Sequence, residues 1–119
     1  MPYRPADALS AGDILWVDFG PPFGHEQAGR RPALVVSPRN YNERSSLVLV
    51  CPITRNLDAW AFKVEIKDDT RVQGAVLVDQ VRSIDREVRF VRRVEQVSTS
   101  TLDQVNGMFA ALFGIRVSN

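Results

Sequence analysis

From residue 14 to residue 94, short runs of β-forming residues follow one another, and no stretch between them has the length of a crossover helix. Joining two parallel strands takes a connection of about a dozen residues or more, usually helical, so a βαβ architecture is excluded. Residues 14–19 (Ile-Leu-Trp-Val-Asp-Phe) form the first run, and residues 31–37 the second, closed by Pro38. Both are rich in strand formers. Residues 47–53 are a continuous apolar run, which predicts a strand buried on both faces. Pro52 has no N–H for the ladder, so that strand bulges or ends nearby. Phe62, Val64 and Ile66 alternate with Lys63, Glu65 and Lys67, the period-two mark of a half-exposed strand. Residues 75–78 read as another buried strand, and 79–85 as an irregular turn. Residues 87–94 read as a basic strand with Val88, Phe90 and Val94 inward; strict alternation points Val91 outward. Residues 39–46, with Asn40 and Asn42, read as a polar turn, and 55–60 as a polar loop.

The last element differs. Leu102, Val105, Phe109, Leu112 and Phe113 fall on one helical stripe. Ser98 or Ser100 caps its start, Asp103 lies near the positive end of the dipole, and Gly114 stands where a left-handed stop is expected. Gly107 costs about 1 kcal/mol against Ala in mid-helix. About six short strands, turns every ~8–12 residues and one terminal helix predict a mainly β chain: a small β-barrel with a C-terminal α-helix. A single domain over residues 1–119 is expected, with a loose arm at 1–11.

Between the first two strands, residues 20–32 hold three of the seven glycines, three of the seven prolines and the only histidine. Regular structure is blocked there, giving a loop of about a dozen residues. It concentrates an acid, an imidazole, an amide and two guanidiniums beside an aromatic ring, which points to function. Net charge is only +1, so no global field recruits a polyanion. Yet thirteen of the fifteen basic residues are arginines. The planar fork of arginine suits phosphates, although a GC-rich genome also writes Arg for Lys. Lone Cys51 excludes an internal disulfide and fits a reducing, cytoplasmic setting; it reads as a small buried hydrophobe. No signal peptide or membrane helix is expected, and no His/Cys/Asp/Glu spacing suits a zinc site.

Several blocks together are specific: Gly12-Asp13-Ile14-Leu15-Trp16-Val17-Asp18-Phe19, Glu26-Gln27-Ala28-Gly29-Arg30-Arg31-Pro32-Ala33-Leu34-Val35-Val36-Ser37-Pro38, Pro52-Ile53-Thr54, and Asp79-Gln80-Val81-Arg82-Ser83-Ile84-Asp85. In order and spacing they resemble the MazF/PemK toxins, over residues 12–114. The resemblance implies an SH3-like barrel with a C-terminal helix. It also implies a homodimeric, cofactor-free and metal-independent endoribonuclease that cuts single-stranded RNA, leaves a 2′,3′-cyclic phosphate and a 5′-hydroxyl, and is silenced by a cognate antitoxin.

Such cleavage needs an aligned 2′-hydroxyl, charge neutralisation at the phosphoryl oxygens and proton transfer. Arg31 resembles the family's catalytic arginine, able to grip two phosphoryl oxygens. Thr54 matches its catalytic hydroxyl. Glu26 is a candidate base for the 2′-hydroxyl or a solvated loop carboxylate. His25 titrates in a useful range, near about 6.5 when unperturbed, but the family carries a small polar residue there, so RNA contact is the expectation. By resemblance Phe23, Gln27, Asp79 and Gln80 line the RNA groove; the Asp79-Gln80-Val81-Arg82 run also suits a buried polar knot. Asn56 fits edge reading of unstacked bases. Trp60 either stacks a base or lids the core, and Trp16 is expected in the core. Arg86, Arg89, Arg92 and Arg93 read either as a positive strip or as a solvated face. The alternative is a gyrase-binding barrel of the CcdB type, but its terminal Trp-Gly-Ile is replaced here by Phe113-Gly114-Ile115 with four further residues.

Overall fold

The computed structural model describes residues 8–21 and 24–116, the side chain of Val91 excepted. In chain order the elements are β1 (Asp13–Asp18), β2 (Arg30–Val35), α1 (Arg39–Arg44), β3 (Leu47–Thr54), β4 (Lys63–Ile66), β5 (Gly74–Leu77), a short 3-10 turn (Val78–Gln80), β6 (Arg82–Asp85), α2 (Arg86–Arg89), β7 (Phe90–Gln96) and α3 (Thr99–Leu112). The strands form one seven-stranded sheet in the order β4-β5-β3-β2-β1-β7, with β6 also on β3. Every pairing is antiparallel. Strand β3 is the spine. Its first half pairs with β6, its last two residues pair with β5, and β2 runs along it, so that Val50 faces both Val35 and Arg82.

Alternation sorts the apolar residues onto two faces. Leu15, Val17, Ala33, Val35, Val48, Val50 and Ile84 form one cluster with Leu9 and Phe19. Ile14, Leu34, Cys51, Ile53, Val64, Ile66, Val76 and Val78 form the other, which α3 covers with Val105, Met108, Phe109 and Leu112. Strand β3 thus feeds both cores, as its unbroken apolar run predicts. Ser98 caps α3 by accepting from the Thr101 N–H, and Gly114 at φ +65° ends it.

The departures have local causes. Residues 39–44 form a helix, not a polar turn, because Asn42 is fully buried and bonded. Its Nδ2 donates to the carbonyls of Leu9 (2.8 Å) and Ser37 (2.9 Å), and the Ser37 hydroxyl donates to its Oδ1. That knot holds Leu9 in the core, so the described end of the expected loose arm is packed. Residues 82–85 form strand β6 instead of continuing the turn after the 3-10 segment. Residues 86–89 make one helical turn, begun by the Asp85 carboxylate accepting from the Glu87 N–H; it carries Val88 outward, to 70% exposure. In β7, register shifts against β1 skip positions 91 and 94, so strict alternation fails there. The outward pointing expected for Val91 falls outside the described side chains.

Candidate active site

The loop between β1 and β2 is tied at its base. The Phe19 N–H donates to the Gly29 carbonyl (2.9 Å), and the Gly29 N–H donates to Gly20 (2.8 Å). Gly29, at φ +72°, turns the chain into β2 in a conformation L-residues rarely adopt. Arg31 is the second residue of that strand and sits opposite Val17. Its Nε donates to the Ala28 carbonyl at 2.8 Å. This bond fixes the side chain, while its terminal nitrogens make no hydrogen bond or ion pair among the described residues.

Thr54 arrives from the other side. Strands β2 and β3 pair Val35 with Val50, Leu34 with Cys51 and Ala33 with Pro52. Arg31 and Thr54 each lie two positions beyond the last of these pairs, and both line the same cavity. Thr54 is only 7% exposed. Its Oγ1 accepts from the Asn56 N–H at 3.1 Å, which leaves the hydroxyl proton free to donate elsewhere. The loop beyond is folded on itself: Asp58 N–H donates to Asn56 Oδ1 (2.8 Å), and Lys63 Nζ donates to the carbonyls of Asn56 (2.7 Å) and Asp58 (2.9 Å). Gly74, at φ +136°, packs directly on the Thr54 carbonyl; a Cβ there would lie 2.2 Å from that oxygen.

The cavity measures roughly 850 Å³. Trp16, Arg30, Arg31, Thr54, Arg55 and Arg71 line it, Asn56 reaches it, and among the described residues no carboxylate does. Four arginines therefore face one hollow in a chain of net charge +1. Trp16 is half-buried in this wall, not in the core as expected, because its register partner Pro32 stands on the cavity side of β2.

The remaining candidates gather elsewhere. Glu26, Gln27, Asp79 and Gln80 line a neighbouring cavity of roughly 160 Å³ with Phe19 and Arg82. There the Gln27 N–H donates to Gln80 Oε1 (3.1 Å), and the Arg82 guanidinium lies 5.4 Å from the Phe19 ring centre. Trp60, half exposed, donates its indole N–H to Asp79 Oδ2 at 3.2 Å. Glu26 and Arg31 are thus in adjacent cavities, not one. His25 is exposed and lines neither. Phe23 lies outside the described residues. Sequence reading missed Trp16, Arg30, Arg55 and Arg71. The strand register marks the first two, but nothing local to Arg71 does.

Cys51 is buried, and its thiol is pushed up to about 12, first by burial and then by the Asp79 carboxylate, so it stays protonated and unreactive. The four late arginines do not share one strip. Arg86 is buried against α1, Arg89 reaches the Asp18 carbonyl at 3.5 Å, and exposed Arg93 lies 3.8 Å from buried Asp13. Among the described residues no group of three His, Cys, Asp or Glu is placed to hold a metal ion, and no helix is long and apolar enough to cross a membrane.

The model of the PemK-like, MazF-like toxins of type II toxin–antitoxin systems matches residues 10–113. The endoribonuclease toxin MazF of Escherichia coli is 37% identical over 103 residues, 87% of this chain and 92% of that protein. The Escherichia coli endoribonuclease toxin ChpB is 39% identical over 98 residues, 78% and 84% of the two chains. A crystal structure of MazF from Deinococcus radiodurans superposes with a TM-score of 0.84 at 37% identity, covering 91% of this chain and 98% of that one. The shared fold is a curled, half-barrel β-sheet with a C-terminal helix. The chain belongs to the PemK/MazF family of type II toxin–antitoxin toxins.

Proposed function

We propose that this chain is an endoribonuclease toxin that cuts single-stranded RNA without a metal ion, with Arg31 and Thr54 at the reacting phosphate. The carrying observation is that Arg31 and Thr54, each two positions past the β2–β3 pairs, line one cavity with three further arginines and, among the described residues, no carboxylate. A phosphodiester placed there meets the terminal nitrogens of Arg31, already aimed by the Nε bond to Ala28. It also meets the Thr54 hydroxyl, which accepts from Asn56 on one lone pair and donates to nothing among the described residues, so its proton is available. Charge grows on the phosphoryl oxygens as the 2′-oxygen forms its bond to phosphorus and the bond to the 5′-oxygen breaks. Both groups interact more strongly with that state than with the ground state. With the ribose placed where the two cavities meet, the proton leaving the 2′-oxygen goes to Glu26 on the adjoining wall, and solvent protonates the 5′-oxygen. The products are a 2′,3′-cyclic phosphate and a 5′-hydroxyl.

Gln27, Asp79 and Gln80, held together in the smaller cavity, are the proposed contacts to neighbouring bases, with Asn56 in the larger one and His25 and Phe23 on the connecting loop. The relatives named endoribonucleases favour this reading over gyrase binding. The structural neighbours include MazE–MazF complexes of Deinococcus radiodurans, one at TM-score 0.79 and 35% identity. They support a MazE-like antitoxin as partner; a homodimer as the working state and the cytoplasm as its place belong to the same proposal. The test is a cleavage assay on a long single-stranded RNA in EDTA, with fragment ends mapped. Discrete cuts with 5′-hydroxyl ends are expected, reduced at least ~10²-fold in Arg31→Ala and Thr54→Ala. An uncut RNA from folded wild-type protein would sink the proposal.

A further inference from the structure

The large cavity does not end at the reacting pair. It runs on to the β4–β5 turn, where Arg71 and Val72 form its far wall. That turn is held from an unexpected direction. Glu95, on β7, accepts the N–H of Arg71 at Oε1 (3.0 Å) and the N–H of Val72 at Oε2 (2.8 Å). One carboxylate thus spends both oxygens on consecutive backbone amides of a single turn. A charged acceptor makes such bonds about twice as strong as neutral ones. Arg71 itself is exposed, lines the cavity and makes no ion pair among the described residues. Arg55, on the loop after Thr54, lines the same stretch and is likewise unpaired there. Glu95 therefore satisfies the backbone of the turn and leaves the guanidinium of Arg71 uncompensated at the cavity wall.

Resting on the ribonuclease reading, we infer that Arg71, with Arg55, forms a second phosphate site that holds the RNA backbone beside the scissile phosphate, and that Glu95 is the positioning residue that sets the Arg71 turn. Arg71 holds the RNA backbone equally in the ground state and in the transition state, so its contribution falls on KM and not chiefly on kcat. The role of Glu95 has a signature that charge alone cannot give. Replacing it with Gln removes a negative charge near a polyanion site, so a purely electrostatic Glu95 would tighten RNA on removal. A positioning Glu95 would loosen it.

The experiment measures binding of a short RNA carrying a 2′-deoxy nucleotide at the cut site that wild-type cleavage maps, over a series of salt concentrations. For Arg71→Ala, Kd should rise about fivefold and the slope of log K against log salt should shrink by about 0.7, one phosphate contact on a single strand. Arg71→Lys should recover most of that slope, which separates lost charge from a damaged turn. Glu95→Gln should raise Kd and KM, with little further loss when combined with Arg71→Ala. Wild-type binding and cleavage with an unchanged Kd and slope in Arg71→Ala would overturn the second site alone. Tighter or unchanged RNA binding in Glu95→Gln would overturn its positioning role. Absence of cleavage by the wild type would bring down the ribonuclease reading itself.

Discussion

At Thr54 the hydroxyl has two jobs, and the local hydrogen bonds keep them apart. The oxygen accepts from the Asn56 N–H, and the proton remains for a ligand. The γ-methyl group sits in a wall that leaves the residue 7% exposed. A serine keeps both jobs and loses only packing. A valine keeps the shape, removes the donor and leaves the Asn56 N–H without its acceptor. Thr54→Ser should stay within about tenfold of wild type in single-turnover cleavage, and Thr54→Val should fall by about 10²–10³, the loss typical of one oxyanion donor. A Thr54→Val rate equal to or above that of Thr54→Ser would show that the hydroxyl does not carry the reaction. Arg31 and Thr54 are 23 positions apart in a sequence where neither stands out by itself. They were legible only as parts of motif blocks, and the strand register gives the physical reason for pairing them. Arg71 was not legible, because its place depends on a carboxylate 24 positions away on another strand.

At the scale of elements, patterns long enough to repeat were readable and those shorter than one period were not. The stripe on α3 and the alternation on β4 each recur several times. The one-turn helix at residues 86–89 and the six-residue helix at 39–44 are too short for a stripe; the first owes its form to the exposed Asp85 capping bond and the second to the buried bonds of Asn42. The start of α3 shows how such contacts support an element. The Asp68 carboxylate accepts from the Ser98 N–H (2.9 Å), the Ser98 hydroxyl (2.7 Å) and the Thr101 hydroxyl (3.0 Å), adding a second acceptor above the Ser98 cap. The Ser98 bonds, the backbone one foremost, hold the Asp68 carboxyl below the usual carboxylate value. A lowered folded-state pKa stabilises the fold above the unfolded value, and that stability is lost as pH falls through the lowered one. Asp68→Asn should therefore lower Tm at pH 7, with the gap to wild type closing below about pH 4 as the wild-type carboxyl protonates. Ser98→Ala should cost about 1 kcal/mol at pH 7 through the lost cap, and less below about pH 4, where its bond to the Asp68 carboxylate no longer counts. A gap for Asp68→Asn that stays constant down to pH 2.5 would mean that the charge adds nothing.

For the molecule as a whole, the balance of charge conceals a segregation. A formal net charge of +1 suggests weak coupling to any polyanion. The fold nevertheless brings Arg30, Arg31, Arg55 and Arg71 to one cavity from three separate stretches of chain, with no carboxylate among the described residues of its wall. Glu26 and Asp79 stand in the smaller cavity next to it, opposite a single arginine, Arg82. What RNA meets is the local field, since at about 0.15 M salt charges more than roughly 8 Å away are largely screened. Neutralising about three to four phosphates on a single strand gives a slope of about −2 to −3 in log kcat/KM against log salt. Between 50 and 200 mM salt, cleavage of a short RNA at subsaturating concentration should thus slow by roughly 15- to 60-fold. A decline of less than about threefold over that range would correspond to at most about one phosphate contact, and would mean that the arginines of the cavity wall meet the substrate one at a time and not as a group.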